Sequence, residues 1–410
     1  MFRSILTRPW NVRIAWILWG VFVVTVCIIV ALPSHHRTVT PVYRHASISW
    51  FEGQDIYVPS KGFLYLPQAA ILFAPFAYLP FHTSEVLWRI VCIGGMATAI
   101  WRLARLAASE GNWELFPLMS LVAILPAMGS ARNGQMNIPL AVLMILAAVD
   151  LADDHWWRAT LWMALGLALK PLMIVMILLG AALYRPMTWR LPIALVIVLP
   201  LPFLTQDPAY VIRQYEASVN TLLVAGNPGP NMSFSDFFGL LQSLDVHVQH
   251  ATETAARAIT ALLTLGLAWL GRRRWGRVRG AVLVLALASC YLMLFNPRTE
   301  NNSYVILGPS LAVFAAWAFL VDRWYAAGWA LVAVTMGVAG SYEITRGPNH
   351  WLSPSLCLVF LAYIVYLVLA DRRPATTTRS SVTQGRRLES SPRSIGCRIS
   401  TLRRGRAPEF

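Results

Sequence analysis

The sequence predicts an all-α fold, a polytopic bundle of about twelve membrane-crossing helices, and three observations carry that prediction. Hydrophobic residues fill 57% of the 410 positions and charged residues only 13%, about half the charged fraction of an average soluble domain. Mean hydropathy is +0.55, and apolar runs close to the ~20 residues that cross a bilayer recur along the chain. The net charge of +15 sits in short loops between those runs and in a C-terminal tail. Cytoplasmic loops of membrane proteins carry such an excess of Lys and Arg. The charge therefore marks orientation, and nucleic acid is not an expected partner.

Membrane segments are expected at 14–32, 84–104, 115–130, 137–151, 157–169, 171–184, 190–205, 254–271, 279–296, 303–320, 326–341 and 354–370. The first follows Arg3, Arg8 and Arg13. It is too long for a signal-peptide core and lacks a small-residue cleavage site, so a retained helix is expected. The short pairs flanking 131–137 and 170–171 read either as half-helices or as parts of longer ones. The stretch 63–80 carries Pro67, Pro75 and Pro80, which break helices, and aromatics at both ends. It reads as an interfacial or re-entrant segment that does not cross. The connection 206–250 is the longest and should hold amphipathic pieces near 210–223 and 234–244. Beyond it, the chain divides into a membrane-embedded domain, 1–371, and a tail, 372–410. Ser, Thr and Arg dominate that tail without periodicity, so it is expected to be disordered and suited to anionic headgroups.

Orientation follows from the basic loops. Gly-Arg-Arg-Arg-Trp-Gly-Arg-Val-Arg at 271–279 is the strongest cytoplasmic marker, and Arg102, Arg105, Arg185, Arg190, Arg323, Arg372 and Arg373 mark the same side. Both termini of this multi-pass chain are then cytoplasmic. The polar stretches 33–62, 131–137, 206–250, 296–302 and 341–354 fall on the extracytoplasmic face. Cys27, Cys92, Cys290 and Cys357 lie in apolar segments and Cys397 in the tail, with no CxxC or metal-ligand spacing. Most of the 17 tryptophans read as interfacial-belt residues by position.

Polar groups at membrane depth need a reason. Lys170, in Leu-Ala-Leu-Lys-Pro-Leu-Met, is either a lysine snorkelling from a helix end or a cation at the floor of an outward cavity that holds an anion. Arg132, Asn133, Gln135 and Asn137 form a polar knot around Gly134, either an ordinary Asn-Gly turn or amides and a guanidinium beside a cavity. Arg298, Glu300 and Asn301 stand at the outer end of another helix. Arg298 with Glu300 is either an exposed ion pair or part of a phosphate and sugar site, because Arg forks phosphate and amides bond sugar hydroxyls. The first outer loop offers Arg44 and His45, then Glu52 and Asp55. Asp55 is either a turn cap or a general base, with Glu52 and His45 as rivals. His350 is a further outer-face histidine.

These pieces resemble a known family. Gly53-Gln-Asp-Ile-Tyr57, Gly62-Phe-Leu-Tyr-Leu-Pro67 and Phe73-Ala-Pro-Phe-Ala-Tyr-Leu-Pro80 resemble the early signature of glycosyltransferase family 87, polytopic enzymes of the GT-C class. Asn133-Gly-Gln-Met-Asn137, Leu167-Ala-Leu-Lys-Pro171 and Asn231-Met-Ser233 follow in the family's order. The resemblance implies a GT-C-type bundle and a polyprenyl-phosphate-linked sugar donor, often mannose. It also implies a glycan or glycolipid acceptor, extracytoplasmic chemistry at a bacterial plasma (inner) membrane and a catalytic acid in the first outer loop. The stretch Thr38-Val-Thr-Pro-Val-Tyr43 holds no acid where many relatives have one, which moves the expected base to Asp55 or Glu52. Asn301-Asn302 stands where relatives often carry histidine.

The chemistry suits that geography. Phosphate leaves readily once its charge is neutralised. Single displacement at the anomeric carbon then needs a base on the acceptor hydroxyl and cations on the phosphate, and it inverts the centre. Arg44, Arg132, Lys170 and Arg298 are the cation candidates. The sequence shows no DxD-like pair and implies neither metal nor cofactor. The competing readings are a transporter or flippase for a lipid-linked sugar and a non-catalytic binder of one. Short basic loops on one side and polar knots on the other argue against the comparable two-sided polar surfaces that a transporter uses.

Overall fold

The computed structural model describes residues 9–32, 37–108, 114–226, 234–345 and 350–370. Among them the regular structure is helical, with no strand. The tail from 372 lies outside the described residues.

Helix α1 (Pro9–Ala31) buries Ala15, Trp19, Val26 and Val30, whose spacing of four and seven keeps one face inward. Its other faces expose Ile14, Ile17, Val21, Val24 and Ile28, as lipid contact requires. Trp19 Nε1 donates to Ser120 Oγ at 3.0 Å, which satisfies the indole inside the bundle. Next come α2 (Thr40–Phe51), a 3₁₀ turn at Pro59–Lys61 and α3 (Pro67–Ala77). At 1.5 Å per residue α3 spans about 16 Å, too short to cross a hydrocarbon core of about 30 Å.

The bundle proper continues with α4 (Phe81–Ala108), α5 (Phe116–Asn133), α6 (Asn137–Ala152), α7 (Trp156–Leu169), α8 (Ile174–Leu183) and α9 (Met187–Val198). The long loop holds α10 (Pro208–Gly226) and α11 (Phe237–Gln242), close to the amphipathic pieces expected there. The last elements are α12 (His250–Phe295), α13 (Gly308–Ala316), α14 (Tyr325–Ala339), α15 (Ser341–Ile344) and α16 (Leu352–Leu369). Among the described residues six helical stretches are long and apolar enough to cross a membrane: Asn11–Ala31, Phe81–Ala108, Met187–Leu204, His250–Phe295, Asn301–Val321 and Leu352–Leu369. The chain is a multi-pass membrane protein. Pro67–Ala77, Asn137–Ala152, Pro171–Leu183 and Tyr325–Ala339 are shorter apolar helices.

Two helix breaks shape the interior. Gly134 ends α5 with φ +67, its N–H and that of Gln135 turning back to Ala131 and Ser130 carbonyls, a left-handed C-terminal cap. A Cβ there would lie 2.6 Å from the Arg89 guanidinium carbon, so both backbone and space ask for glycine. Lys170 ends α7 in an extended conformation (φ −152, ψ 125), as the residue before Pro171 must, and a 3₁₀ turn at Pro171–Met173 leads into α8.

A third break lies in α12 at Gly276, φ +76 with ψ −166, a region that only glycine adopts readily. The segments expected at 254–271 and 279–296 are the two arms either side of it. The arginines of this turn are engaged in structure. Arg277 donates to Ala152 O, Arg272 to Leu183 O and Arg274 to Val368 O, at the C-terminal ends of α6, α8 and α16. Cations there meet orphan carbonyls and the negative end of the helix dipole. From Gly280 to Cys290 every residue is buried, as is all of α13, so the second arm of α12 forms the bundle's centre. That arm, ~28 Å long at helical rise, separates the arginine turn at one end from Asn296 at the other.

Candidate active site

The two breaks in α5–α6 and α7–α8 and the turn after α12 meet at one cavity of about 290 Å³. Tyr43, Tyr65, Gln135, Asn137, Lys170, Asn296, Arg298, Glu300 and Ser303 are its polar lining, and its apolar lining includes Val39, Val42, Leu64, Leu172, Leu222 and Ala225. The polar groups are linked. Lys170 Nζ donates to Asn137 Oδ1, and Asn137 Nδ2 to Gln135 Oε1 at 2.9 Å. Gln135 Nε2 reaches Glu300 Oε2 at 3.4 Å, while Ser130 Oγ donates to Gln135 Oε1 at 3.2 Å. Glu300 also caps the 3₁₀ turn Asn301–Ile306, where its side chain accepts from the Ser303 N–H. Among the described residues no salt bridge joins Glu300 to Lys170 or Arg298. The Arg298 guanidinium lies 5.4 Å above the Phe234 ring and Lys170 Nζ 5.9 Å above that of Tyr65, so aromatic faces support both cations.

Tyr43 and Tyr65 form the aromatic wall, rings edge-on at 5.5 Å and hydroxyls 3.3 Å apart. The Met136 N–H donates to the Tyr43 hydroxyl at 3.2 Å, and Tyr57 OH to Tyr65 O at 2.7 Å. Burial pushes the Tyr65 hydroxyl up to about 12, so it stays a protonated donor at neutral pH.

Of the residues singled out from sequence, Gln135, Asn137, Lys170, Arg298 and Glu300 line this cavity. The others sit elsewhere. Arg44 Nη1 donates to Leu79 O at 2.7 Å, tying α2 to the end of α3, and His45 is half-buried on α2. Arg132 and Asn133 are half-buried, and their carbonyls accept from Arg89 Nη2 and Val39 N, each at 3.0 Å. Asn301 Oδ1 accepts from Ser235 Oγ at 2.6 Å. Glu52 and Asp55 are exposed. Glu52 follows the last turn of α2, and Asp55 Oδ1 accepts the Tyr57 N–H at 2.9 Å, the turn-capping alternative. Asn231, Met232 and Ser233 lie outside the described residues.

The acid-free stretch 38–40 meets a carboxylate from another helix. Glu85, buried on α4, accepts from the Thr38 hydroxyl at 2.8 Å and from that of Thr40, and pairs with Arg89 at 3.0 Å. Arg89 Nη2 closes the cluster on Thr38 Oγ1 at 3.0 Å. At the arginine-turn end, Asp150, Asp153 and His155 bring ligand atoms within 4.8 Å of one another, but Asp150 is already held by Arg102 and Arg158.

Tyr43, Tyr65 and Ser303 are lining residues that escaped the sequence reading. Tyr43 was passed over for its neighbours Arg44 and His45. Yet the spacing Thr40, Tyr43, Ser47, Trp50 is a helical stripe, and these are buried. Tyr65 and Ser303 carried no such signal.

Fold and site together define the class: a multi-pass helical membrane protein with cations, amides and paired tyrosines around one cavity. Comparison with known proteins makes this specific. The profile of Glycosyltransferase family 87 matches residues 63–297, more than half of the chain, and the chain belongs to that family. The resemblance read from its motifs is borne out. It is 27% identical over 258 residues to a polyprenol-phosphate-mannose-dependent alpha-(1-2)-phosphatidylinositol pentamannoside mannosyltransferase of Mycobacterium tuberculosis (strain CDC 1551 / Oshkosh), covering 60% of this chain and 57% of that protein. The chain thus spans little more than half the length of that relative. It is 26% identical over 376 residues, 79% of each chain, to an alpha-(1->3)-arabinofuranosyltransferase of the same organism. Over 123 residues, 29% of each chain, it is 31% identical to the corresponding mannosyltransferase of Mycolicibacterium smegmatis (strain ATCC 700084 / mc(2)155).

Proposed function

We propose that this chain is a membrane glycosyltransferase of GT-C type with about twelve membrane segments, the shorter apolar helices included. It moves a mannose-like sugar from a polyprenyl-phosphate donor to a hydroxyl of a glycan or glycolipid, on the extracytoplasmic side of a plasma (inner) membrane. The observation that carries this is the cavity itself, which gathers Lys170 and Arg298 from different segments beside the amides of Gln135 and Asn137. Two cations suit a phosphate, amides and tyrosine hydroxyls suit a sugar, and the apolar lining at Leu172, Leu222 and Ala225 suits the first prenyl units. Family membership and the donor named for the mannosyltransferase relatives support the polyprenyl-phosphate class. Position supports the side, because the cavity stands at the end of the central helix opposite the arginine turn that the positive-inside rule assigns to the cytoplasm.

In this reading Lys170 and Arg298 neutralise the phosphate so that it leaves as the acceptor oxygen attacks from the opposite face, inverting the anomeric carbon. Charge stabilisation aimed at the leaving oxygen is the main contribution, and the amide chain orients the sugar. The test is transfer from a panel of synthetic polyprenyl-phosphate sugars by protein purified into lipid. Product with inverted configuration from one donor is expected. Saturable donor binding with no transfer to any acceptor points to a carrier or a binder, and absence of donor binding removes the reading.

A further inference from the structure

We propose that Glu300 is the general base that takes the proton from the acceptor hydroxyl, an assignment that rests on the transferase reading above. Among the described lining residues it is the carboxylate of the cavity. The other acids considered are placed otherwise: Asp55 and Glu52 lie outside the lining, and Glu85 is closed in by Arg89, Thr38 and Thr40.

The network around Glu300 fits a base more closely than a neutralised ion-pair member. Lys170 and Glu300 are tied through two amide side chains, Asn137 and Gln135, rather than to each other. A carboxylate that paired directly with Lys170 would cancel the cation the phosphate needs. Held apart, the two ends of the relay face different parts of one substrate pair: the cation meets the phosphate and the carboxylate meets the hydroxyl. Gln135 Nε2, at 3.4 Å, and the Ser303 N–H fix the side chain while leaving acceptor capacity on its oxygens for an incoming hydroxyl. Placement of Arg298 two residues earlier puts a phosphate cation and the base on one rigid turn, pinned by Ser235 N to Thr299 O at 2.7 Å and by Tyr304 OH to Ser235 O at 2.8 Å.

The step balances. The acceptor oxygen forms the new bond to the anomeric carbon, its proton passes to a Glu300 oxygen, and the bond from the anomeric carbon to the phosphate oxygen breaks. The electron pair of that bond departs on polyprenyl phosphate, and the proton returns to solvent after release.

Glu300→Gln is the informative substitution, because the amide oxygen still accepts the capping N–H and a purely structural role would be preserved. Transfer by wild type and Glu300→Gln is measured in lipid against pH, together with donor binding to each. The expected result is a fall in transfer of about 10²–10⁴-fold in Glu300→Gln, with donor affinity within a few-fold of wild type and the acid limb of the pH–rate profile gone. Wild-type transfer rates in Glu300→Gln overturn the assignment, as does loss of transfer in Asp55→Asn or Glu52→Gln while Glu300→Gln stays active. Loss of donor binding in Glu300→Gln makes it a binding group and also overturns it. If wild type itself transfers from no donor, the transferase reading fails first, and the two failures are told apart by that control.

Discussion

The two ends of the central helix carry acids and cations in opposite arrangements. At the arginine-turn end Asp150 is fully buried and saturated: Arg102 reaches it at 2.7 Å, Arg158 at 3.4 Å and Trp162 Nε1 at 2.6 Å. Arg277 closes on Asp154 and on Ala152 O beside it. At the cavity end Lys170, Arg298 and Glu300 share one space with no salt bridge among them in the described residues. A charge that has spent its valence on the protein holds the fold. Charges kept apart by amides and aromatic faces remain available to a ligand. The difference separates structural from functional polarity better than burial does, since Glu85 and Arg89 lie near the cavity end and are as closed as Asp150.

Asp150→Ala should have the largest effect on stability and none on donor affinity. It strands Arg102, whose side chain is 21% exposed, and removes the acceptor of Trp162. Loss of one partner from a buried pair costs about 3–5 kcal/mol, and the half-exposed Arg158 brings the expectation to about 2–3 kcal/mol. Thermal unfolding in detergent, read beside donor binding on the folded fraction, checks both halves. Weakened donor binding at full stability would erase the contrast between the ends.

Lys170→Ala and Arg298→Ala should behave in the reverse way. Each removes a charge-assisted contact of about 1.5–3 kcal/mol, a rise of roughly 10–100-fold in the donor dissociation constant, with little change in unfolding temperature. Because neither cation is paired with a protein carboxylate, no buried charge is left behind. Equal donor affinity in both variants would show that the phosphate sits elsewhere.

Gly134→Ala tests the turn that aims the amides. Its positive φ and the 2.6 Å approach to Arg89 are independent penalties, together about 1–2 kcal/mol, and the loss should include displacement of Gln135 and weaker donor binding. A loss of only about 1 kcal/mol would mean that Arg89 swings aside and the backbone penalty alone remains. This position also shows what the sequence could reveal. Asn-Gly and Lys-Pro announce their own local geometry, so the breaks at 134 and 170 were legible, as were the apolar runs and the two arms of α12. Assembly was not legible. Gln135, Lys170 and Glu300 come from three distant segments, and only the packed bundle decides that they converge while Asn301 turns to Ser235 and Arg132 and Asn133 stay outside the lining. Glu52 and Asp55 looked catalytic because carboxylates in an outer loop can be either caps or bases, and the choice depends on neighbours that local spacing does not encode. The Glu85–Arg89 pair did leave a trace, an acid and a base four apart on a helix, but its closure on Thr38 and Thr40 did not.

The smallest expected effect concerns Asp236, the cap of α11, which lies in the long outer loop away from the spanning segments and next to the strap that pins the Glu300 turn. Burial pushes its carboxyl up from the ordinary 3.8 to about 6, against the lowering pull of the Gly239 N–H and of Arg257, with Glu253 adding a further push upward. A carboxyl whose folded value is raised binds its proton more tightly when folded. Its contribution to stability is therefore fully present below about 3.8 and is lost as pH rises through about 6. Asn at this position keeps an acceptor for the Gly239 N–H, now 2.7 Å from Asp236 Oδ1, so the cap survives while the titration disappears. The difference in unfolding temperature between wild type and Asp236→Asn should then fall steadily between pH 4 and pH 7, wild type losing ground as its carboxyl ionises. A flat difference across that range would mean that the Asp236 carboxyl is ionised throughout, and that the cavity end, like the arginine turn, holds its outer acid in a fully satisfied charged form.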